Sequence, residues 1–222
     1  MKRLLMTLVT VAALPVLAAE SGLETDQQKF SYAVGLQIVQ SMLRQGVSID
    51  PNAFSLAVGD AAAGRTPRIS AAEMEAVLER QQAKATDNLR EMARQNLETG
   101  RAYLAKNKED PAVKALESGL QYKVLREGTG PRPKATDTVK VHYTGTLLDG
   151  REFDSSHRRK EAAVLPLNSV IKGWQEALQL MPVGSKWQVF VPASLAYGAR
   201  GAGAAIGPNE TLVFDIELLG IE

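Results

Sequence analysis

The sequence predicts an α+β protein: an N-terminal all-α dimerisation segment, a long linker helix, then an antiparallel β half-barrel wrapped on a short helix. Three observations carry that reading. Apolar residues recur at helical spacing up to about residue 106, alternate with polar ones beyond about residue 118, and Gly and Pro clusters punctuate the alternating runs. Strands that follow helices, rather than interleaving with them, form a sheet region of their own. The expected divisions are residues 1–19 as a leader, 20–70 as the helical dimerisation domain, 71–117 as long helix and connection, and 118–222 as the sheet domain.

Met1 to Ala19 opens with Lys2 and Arg3, runs apolar from Leu4 to Leu14 and ends in small residues at Ala18 and Ala19. This is the order of a cleaved secretory signal peptide, and it is too short for a comfortable membrane span. It predicts export to a bacterial periplasm, free or associated with the outer membrane. From Glu24 to about Gln45, Phe30, Val34, Ile38 and Met42 recur every fourth residue, an amphipathic helix stopped at Gly46. Asp50-Pro51 caps a second, short helix carrying Phe54, Leu56 and Val58 and ending near Gly64. Two such helices bury too little alone, and a second copy of the segment is the simplest partner, so a homodimer is expected.

Ser70 with Glu73 three residues on opens a third helix, Ala71 to about Lys106. Its apolar positions are sparse, and Asp87/Arg90, Glu91/Arg94 and Glu98/Arg101 place opposite charges three apart, the pattern of a solvated spacer. No heptad holds for three repeats, which disfavours a coiled coil.

Beyond Ser118, Leu120, Tyr122 and Val124 alternate, and Gly128 to Pro133 breaks the run. Val139, Val141 and Tyr143 then alternate with Lys140 and His142, which aims Tyr143 inward. Asp149-Gly150 reads as a two-residue hairpin turn returning the chain to Phe153 and Asp154. Val164 to Leu167 is strand-like with a Pro that confines it to an edge. Val170 to Leu178 is a short helix with Ile171, Trp174 and Leu178 on one face. Trp187, Val189 and Val191 mark the next strand, a Gly-rich loop runs from Ala196 to Pro208, and Leu212, Phe214, Ile216 and Leu218 point one way in the last.

Composition narrows the chemistry. With 26 Lys and Arg against 25 Asp and Glu, no field favours nucleic acid, and none is expected as a partner. The chain has no cysteine, which removes thiolate catalysis, disulfides and Cys-based metal sites. Asp154, Ser155, Ser156 and His157 invite a hydrolase reading, but no G-x-S-x-G elbow is present and His142 alternates outward. Two isolated histidines without a carboxylate cluster read as surface residues, not metal ligands. Gly201-Ala202-Gly203 lacks the third glycine of a dinucleotide fingerprint, and Pro208 stands where the phosphate-binding helix would start, so the segment reads as a loop over a site. No cofactor is expected.

What remains is a set of apolar and aromatic residues with few polar groups: Tyr143, Phe153, Asp154, Ile171, Trp174, Tyr197, Ile206 and Phe214. The runs Val-His-Tyr-Thr-Gly, Phe-Asp-Ser-Ser, Val-Ile-Lys-Gly-Trp, Ala-Tyr-Gly and Thr-Leu-Val-Phe-Asp-Ile-Glu-Leu-Leu that carry them resemble the FKBP-type peptidyl-prolyl cis-trans isomerases over residues 118–222. The order of leader, helices, long helix and C-terminal domain is similar to the periplasmic macrophage infectivity potentiator branch, whose members dimerise through their N-terminal helices. The resemblance implies a proline pocket with Trp174 as floor and Tyr143, Phe153, Val170, Ile171, Tyr197, Ile206 and Phe214 as walls, with Asp154 beside it. Tyr143, Phe153, Asp154, Tyr197 and Phe214 are then the catalytic set, and Val170, Ile171, Trp174 and Ile206 bind substrate. The Ile171 N–H and the Tyr197 hydroxyl would donate to carbonyls of a bound peptide or of a macrolide inhibitor. Ala163, Leu165 and Ala202 depart from the family pattern, which implies an altered substrate preference and weaker macrolide binding. The expected function is isomerisation of X-Pro bonds in unfolded, proline-containing exported polypeptides. The rival reading is a holdase chaperone with little isomerase activity.

Overall fold

The structure, a computed structural model, describes residues 22–44 and 47–222. The expected leader and the helix stop at Gly46 lie outside the described residues. The chain divides into two compact units, one ending at Arg65 and the other spanning Thr66–Glu222.

In the first unit, α1 (Asp26–Arg44) starts at a reciprocal cap: Gln28 N donates to Thr25 Oγ1, and Thr25 N donates to Gln28 Oε1. Helix α2 (Pro51–Ala62) starts where the Asp-Pro pair predicts, with Asp50 Oδ1 accepting from Ala53 N at 2.8 Å. Arg65 Nε donates to Asp60 Oδ1 at 2.8 Å, which satisfies a carboxylate that is otherwise buried.

In the second unit, α3 (Ala71–Asn107) is capped by Ser70 Oγ accepting from Glu73 N. Its 37 residues span about 55 Å at 1.5 Å per residue. Met74, Leu78 and Leu89 are exposed between its start and its midpoint, and Arg94 bridges Glu91 and Glu98 at 2.7 and 2.8 Å. The last turns differ from the solvated face expected of them. Ala93, Asn96, Leu97, Gly100, Tyr103, Leu104 and Asn107 form one covered helical face. Gly100 is buried, and a Cβ there would lie 2.2 Å from Thr211 Oγ1, so only glycine allows the helix this close to the sheet.

The sheet is antiparallel, in the order β1-β2-β6-β7-β3-β4, with β5 also on β3. Its strands are β1 (Val113–Ala115), β2 (Gln121–Arg126), β3 (Thr138–Leu147), β4 (Glu152–Ser155), β5 (Ala163–Pro166), β6 (Lys186–Val191) and β7 (Leu212–Ile221). The short helices are α4 (Ser156–Arg159) and α5 (Lys172–Leu180). Alternation along β3 and β7 buries Val139, Val141, Tyr143 and Leu147 with Leu212, Phe214, Ile216 and Leu218, against Trp174, Ala177 and Leu178 of α5. β5 ends at Pro166 on an edge, paired only to β3.

Two local readings are corrected. The β3–β4 connection is not a two-residue turn. Leu147 N donates to Arg151 O and Gly150 N to Leu147 O, so Leu148, Asp149 and Gly150 form a three-residue loop with Gly150 at φ +87°. Phe190 on β6 is buried although its strand was read as one-sided. It faces away from the main core, and Tyr103 of α3 covers it at a ring-centroid distance of 6.0 Å.

Candidate functional site

Consecutive elements bring the site residues together from β3, β4, the β5–α5 connection, α5, the loop after β6, and β7. Tyr143, Phe153, Asp154, Val170, Ile171, Trp174, Tyr197 and Phe214 line one cavity of about 260 Å³, joined by Leu165 and Ser169. Ile206 is not among them. It pairs with Ala202 across the tip of the Gly-rich loop, and its side chain turns into the main core at 6% exposure.

The aromatic walls are locked edge to face. Phe153 meets Phe214 at 89° and 5.6 Å, Phe214 meets Trp174 at 81° and 5.3 Å, and Trp174 meets Tyr143 at 87° and 5.0 Å. The chain of rings rests on Gly145, where a Cβ would come within 2.6 Å of Phe153 and 2.8 Å of Phe214. Trp174 Nε1 is buried and has no hydrogen-bond partner among the described residues.

Polar groups sit at the edge. The Tyr143 hydroxyl donates to Asp154 Oδ2, Arg159 Nη1 donates to Asp154 Oδ1, and Arg159 Nη2 donates to the Tyr143 hydroxyl at 2.9 Å. The Arg159 guanidinium also lies 5.6 Å from the centre of the Tyr143 ring. Burial pushes the Asp154 carboxyl up, but the hydrogen bonds from Tyr143 and Arg159 outweigh it and leave the group below its ordinary range. Burial and then the Asp154 charge push the Tyr197 hydroxyl up. Neither the Tyr197 hydroxyl nor the Ile171 N–H donates to any described residue. The arrangement is an apolar cavity with two unused donors at its edge.

The serines and histidines of the hydrolase and metal readings lie outside the cavity lining. Ser155 and Ser156 are buried, and Ser155 Oγ caps α4 by accepting from Arg158 N. Ser156 Oγ accepts from Tyr143 N at 2.8 Å. The two histidines are not isolated as expected: their rings stack at 4.6 Å, with His142 Nδ1 3.0 Å from Ser156 Oγ. Neither lines the cavity, and no cluster of three or more metal-ligating side chains occurs among the described residues.

Comparison with known proteins decides the family. The model of the FKBP-type peptidyl-prolyl cis-trans isomerase matches residues 130–219, and that of the domain amino terminal to it matches residues 27–124. The chain is 41% identical over its whole length to the Peptidyl-prolyl cis-trans isomerase Mip of Coxiella burnetii, covering 99% of that protein. The chain belongs to the FKBP-type peptidyl-prolyl cis-trans isomerases. It is also 43% identical to the Outer membrane protein MIP of Legionella longbeachae, over 91% of this chain and 88% of that one. The crystal structure of FkpA from Escherichia coli matches with a TM-score of 0.65 at 36% identity, over 90% of this chain and 98% of the other.

As an FKBP-type isomerase, the protein is an enzyme that interconverts cis and trans X-Pro bonds and assists protein folding. Sequence reasoning missed several residues around this cavity. Arg159 sits in the run His157-Arg158-Arg159-Lys160, which reads as a solvated charge cluster, and only the turn of α4 brings it back over Tyr143. Ser169 had no signal. Gly145 did, as the last residue of the Val-His-Tyr-Thr-Gly run, since an inward position without a side chain on a strand marks a close approach.

Proposed function

We propose that the cavity binds the proline of an X-Pro segment on Trp174, with Tyr143, Phe153, Val170, Ile171, Tyr197 and Phe214 around it. The barrier to rotation is set by amide resonance, about 18 to 20 kcal/mol, and neither nucleophile nor proton transfer is required to lower it. A planar imide is more polar than a twisted one, so an apolar enclosure that strips water from it favours the twisted transition state. The Ile171 N–H and Tyr197 hydroxyl then hold the flanking carbonyls in the twisted geometry. Asp154, fixed by Tyr143 and Arg159, keeps the Tyr143 ring in place and presents a charge beside the Tyr197 hydroxyl. The observation that supports this reading is the pair of unused donors beside an aromatic cavity. A macrolide would occupy the same space.

The helical segment we assign to dimerisation, and the protein to the periplasm. Phe30, Val34 and Ile38, spaced four apart on α1, are 66%, 38% and 46% exposed, an apolar stripe that a second copy would cover. A monomer by sedimentation would overturn that assignment. Among the described residues no helix is long and apolar enough to cross a membrane, and the leader directs export. The same exposed face favours, as a second reading, a holding site for unfolded clients.

The deciding experiment measures the cis-to-trans rate of a short X-Pro peptide with the mature protein beside Tyr197→Ala. Acceleration that the variant loses supports the site. Absence of acceleration in the intact protein would leave the holdase reading in front. Retained suppression of aggregation by Tyr197→Ala would separate the two activities.

A further inference from the structure

We propose that helix α3 clamps the loop that carries Tyr197, and that Asn96 and Asn209 are positioning residues for that side chain. The inference rests on reading Tyr197 as a rim donor. Between Tyr197 and Glu210 the chain has no strand and contains Gly198, Gly201, Gly203 and Gly207, so its backbone carries a large entropic cost of ordering. Something must hold it. Inside the loop, Ala202 N donates to Ile206 O and Ile206 N to Ala202 O, which closes the tip. The base is held from outside: Asn96 Nδ2 donates to Pro208 O at 2.9 Å, and Asn209 Nδ2 donates to Ala93 O at 3.2 Å.

Asn209 is the junction. It adopts φ 55°, a left-handed conformation that Asn tolerates better than most residues, and its N–H donates to Gly198 O at 2.8 Å. Gly198 follows Tyr197 directly. A path of two side-chain bonds and one backbone bond therefore links the α3 backbone to the peptide beside the rim tyrosine. The Tyr197 hydroxyl has no bond of its own among the described residues, so its place depends on that backbone. Gly100 lets the helix come close enough for the path to exist, and Met92 and Asn96 lie against Gly207.

The test uses the full mature chain with Asn96→Ala and Asn209→Gly, the second of which keeps the backbone conformation and removes the side chain. Amide hydrogen exchange is followed for residues 198–209, and kcat and KM for a short X-Pro peptide. Exchange of the Asn209 and Gly201 amides should rise about tenfold while β3 and β7 stay protected, and kcat/KM should fall about fivefold, mainly through kcat. On a Tyr197→Phe background the same substitutions should cost little further, because the group they position is gone. Unchanged exchange, or an undiminished loss on that background, would overturn the clamp. Tyr197→Phe with wild-type kinetics would overturn the rim-donor reading, and the clamp as a catalytic device with it, whatever the exchange shows.

Discussion

Gly145→Ala is the substitution for which the structure gives the sharpest expectation. Gly145 is on the inward face of β3, paired with Phe214 on one side and Asp154 on the other. A Cβ there would lie 2.6 and 2.8 Å from two atoms of the Phe153 ring and 2.8 Å from Phe214. Carbon atoms pack best at about 3.5 to 4.0 Å, so both rings must retreat by roughly 1 Å. Phe214 is held by β6 and β3 on either side and by Trp174. Phe153, half-buried on the edge strand β4, yields more easily, and the open side is the cavity. Overpacking of this kind costs about 1 to 3 kcal/mol, and at about 2 to 4 °C per kcal/mol the melting temperature should fall by about 2 to 12 °C. If about 1.4 kcal/mol of that strain opposes the bound imide, kcat/KM falls tenfold. The assay is peptide isomerisation followed beside thermal melting, and Gly145→Ala with Phe153→Leu should recover part of both losses. Wild-type kcat/KM with an unchanged melting temperature would refute the packing argument.

Other perturbations have equally definite outcomes. The Asp154 carboxyl is lowered in the folded state, so its contribution to stability is fully present above the unfolded value of about 4 and is lost as pH falls through the lower folded value. The stability deficit of Asp154→Asn should therefore be larger at pH 7 than at pH 3 in paired melts. Phe190→Ala, beneath Tyr103 on the face of β6 turned away from the main core, should cost about 3 to 5 kcal/mol in denaturant melts. If a macrolide occupies the cavity as proposed, Leu165→Phe, which adds a ring at its β5 edge, should tighten that binding about two- to tenfold by calorimetry.

The sheet was legible because its strands have one face on the main core, so β3 and β7 show period two without interruption. The docking of α3 was not. Of its covered face, Asn96, Gly100 and Asn107 carry no hydrophobic signal, because Asn96 and Asn107 dock through hydrogen bonds to Pro208 and Gln121 and Gly100 through the absence of a side chain. Phe190 was missed for the same reason, since its cover comes from a helix that reads as solvated. The site was legible only as an ordered set. Each aromatic alone is a core residue, and only their order along the chain sets them apart.

The cavity separates two kinds of contribution. The rings of Tyr143, Phe153, Trp174 and Phe214 come from regular elements and lock one another edge to face, so they present the same apolar surface to the planar and the twisted imide. Contacts that both states share lower KM but do not raise kcat. In the proposed mechanism, discrimination between the states falls to desolvation and to the two donors, one on the backbone at the start of α5 and one on a glycine-rich loop. The first is fixed by a helix. The second is only as well placed as its loop, and the loop is bonded at its base to α3. Truncating a wall residue should therefore act on KM and, by admitting water to the imide, on kcat as well, whereas loosening the loop should act mainly on kcat. A long polar helix beside the sheet has in this way a catalytic consequence without touching the substrate.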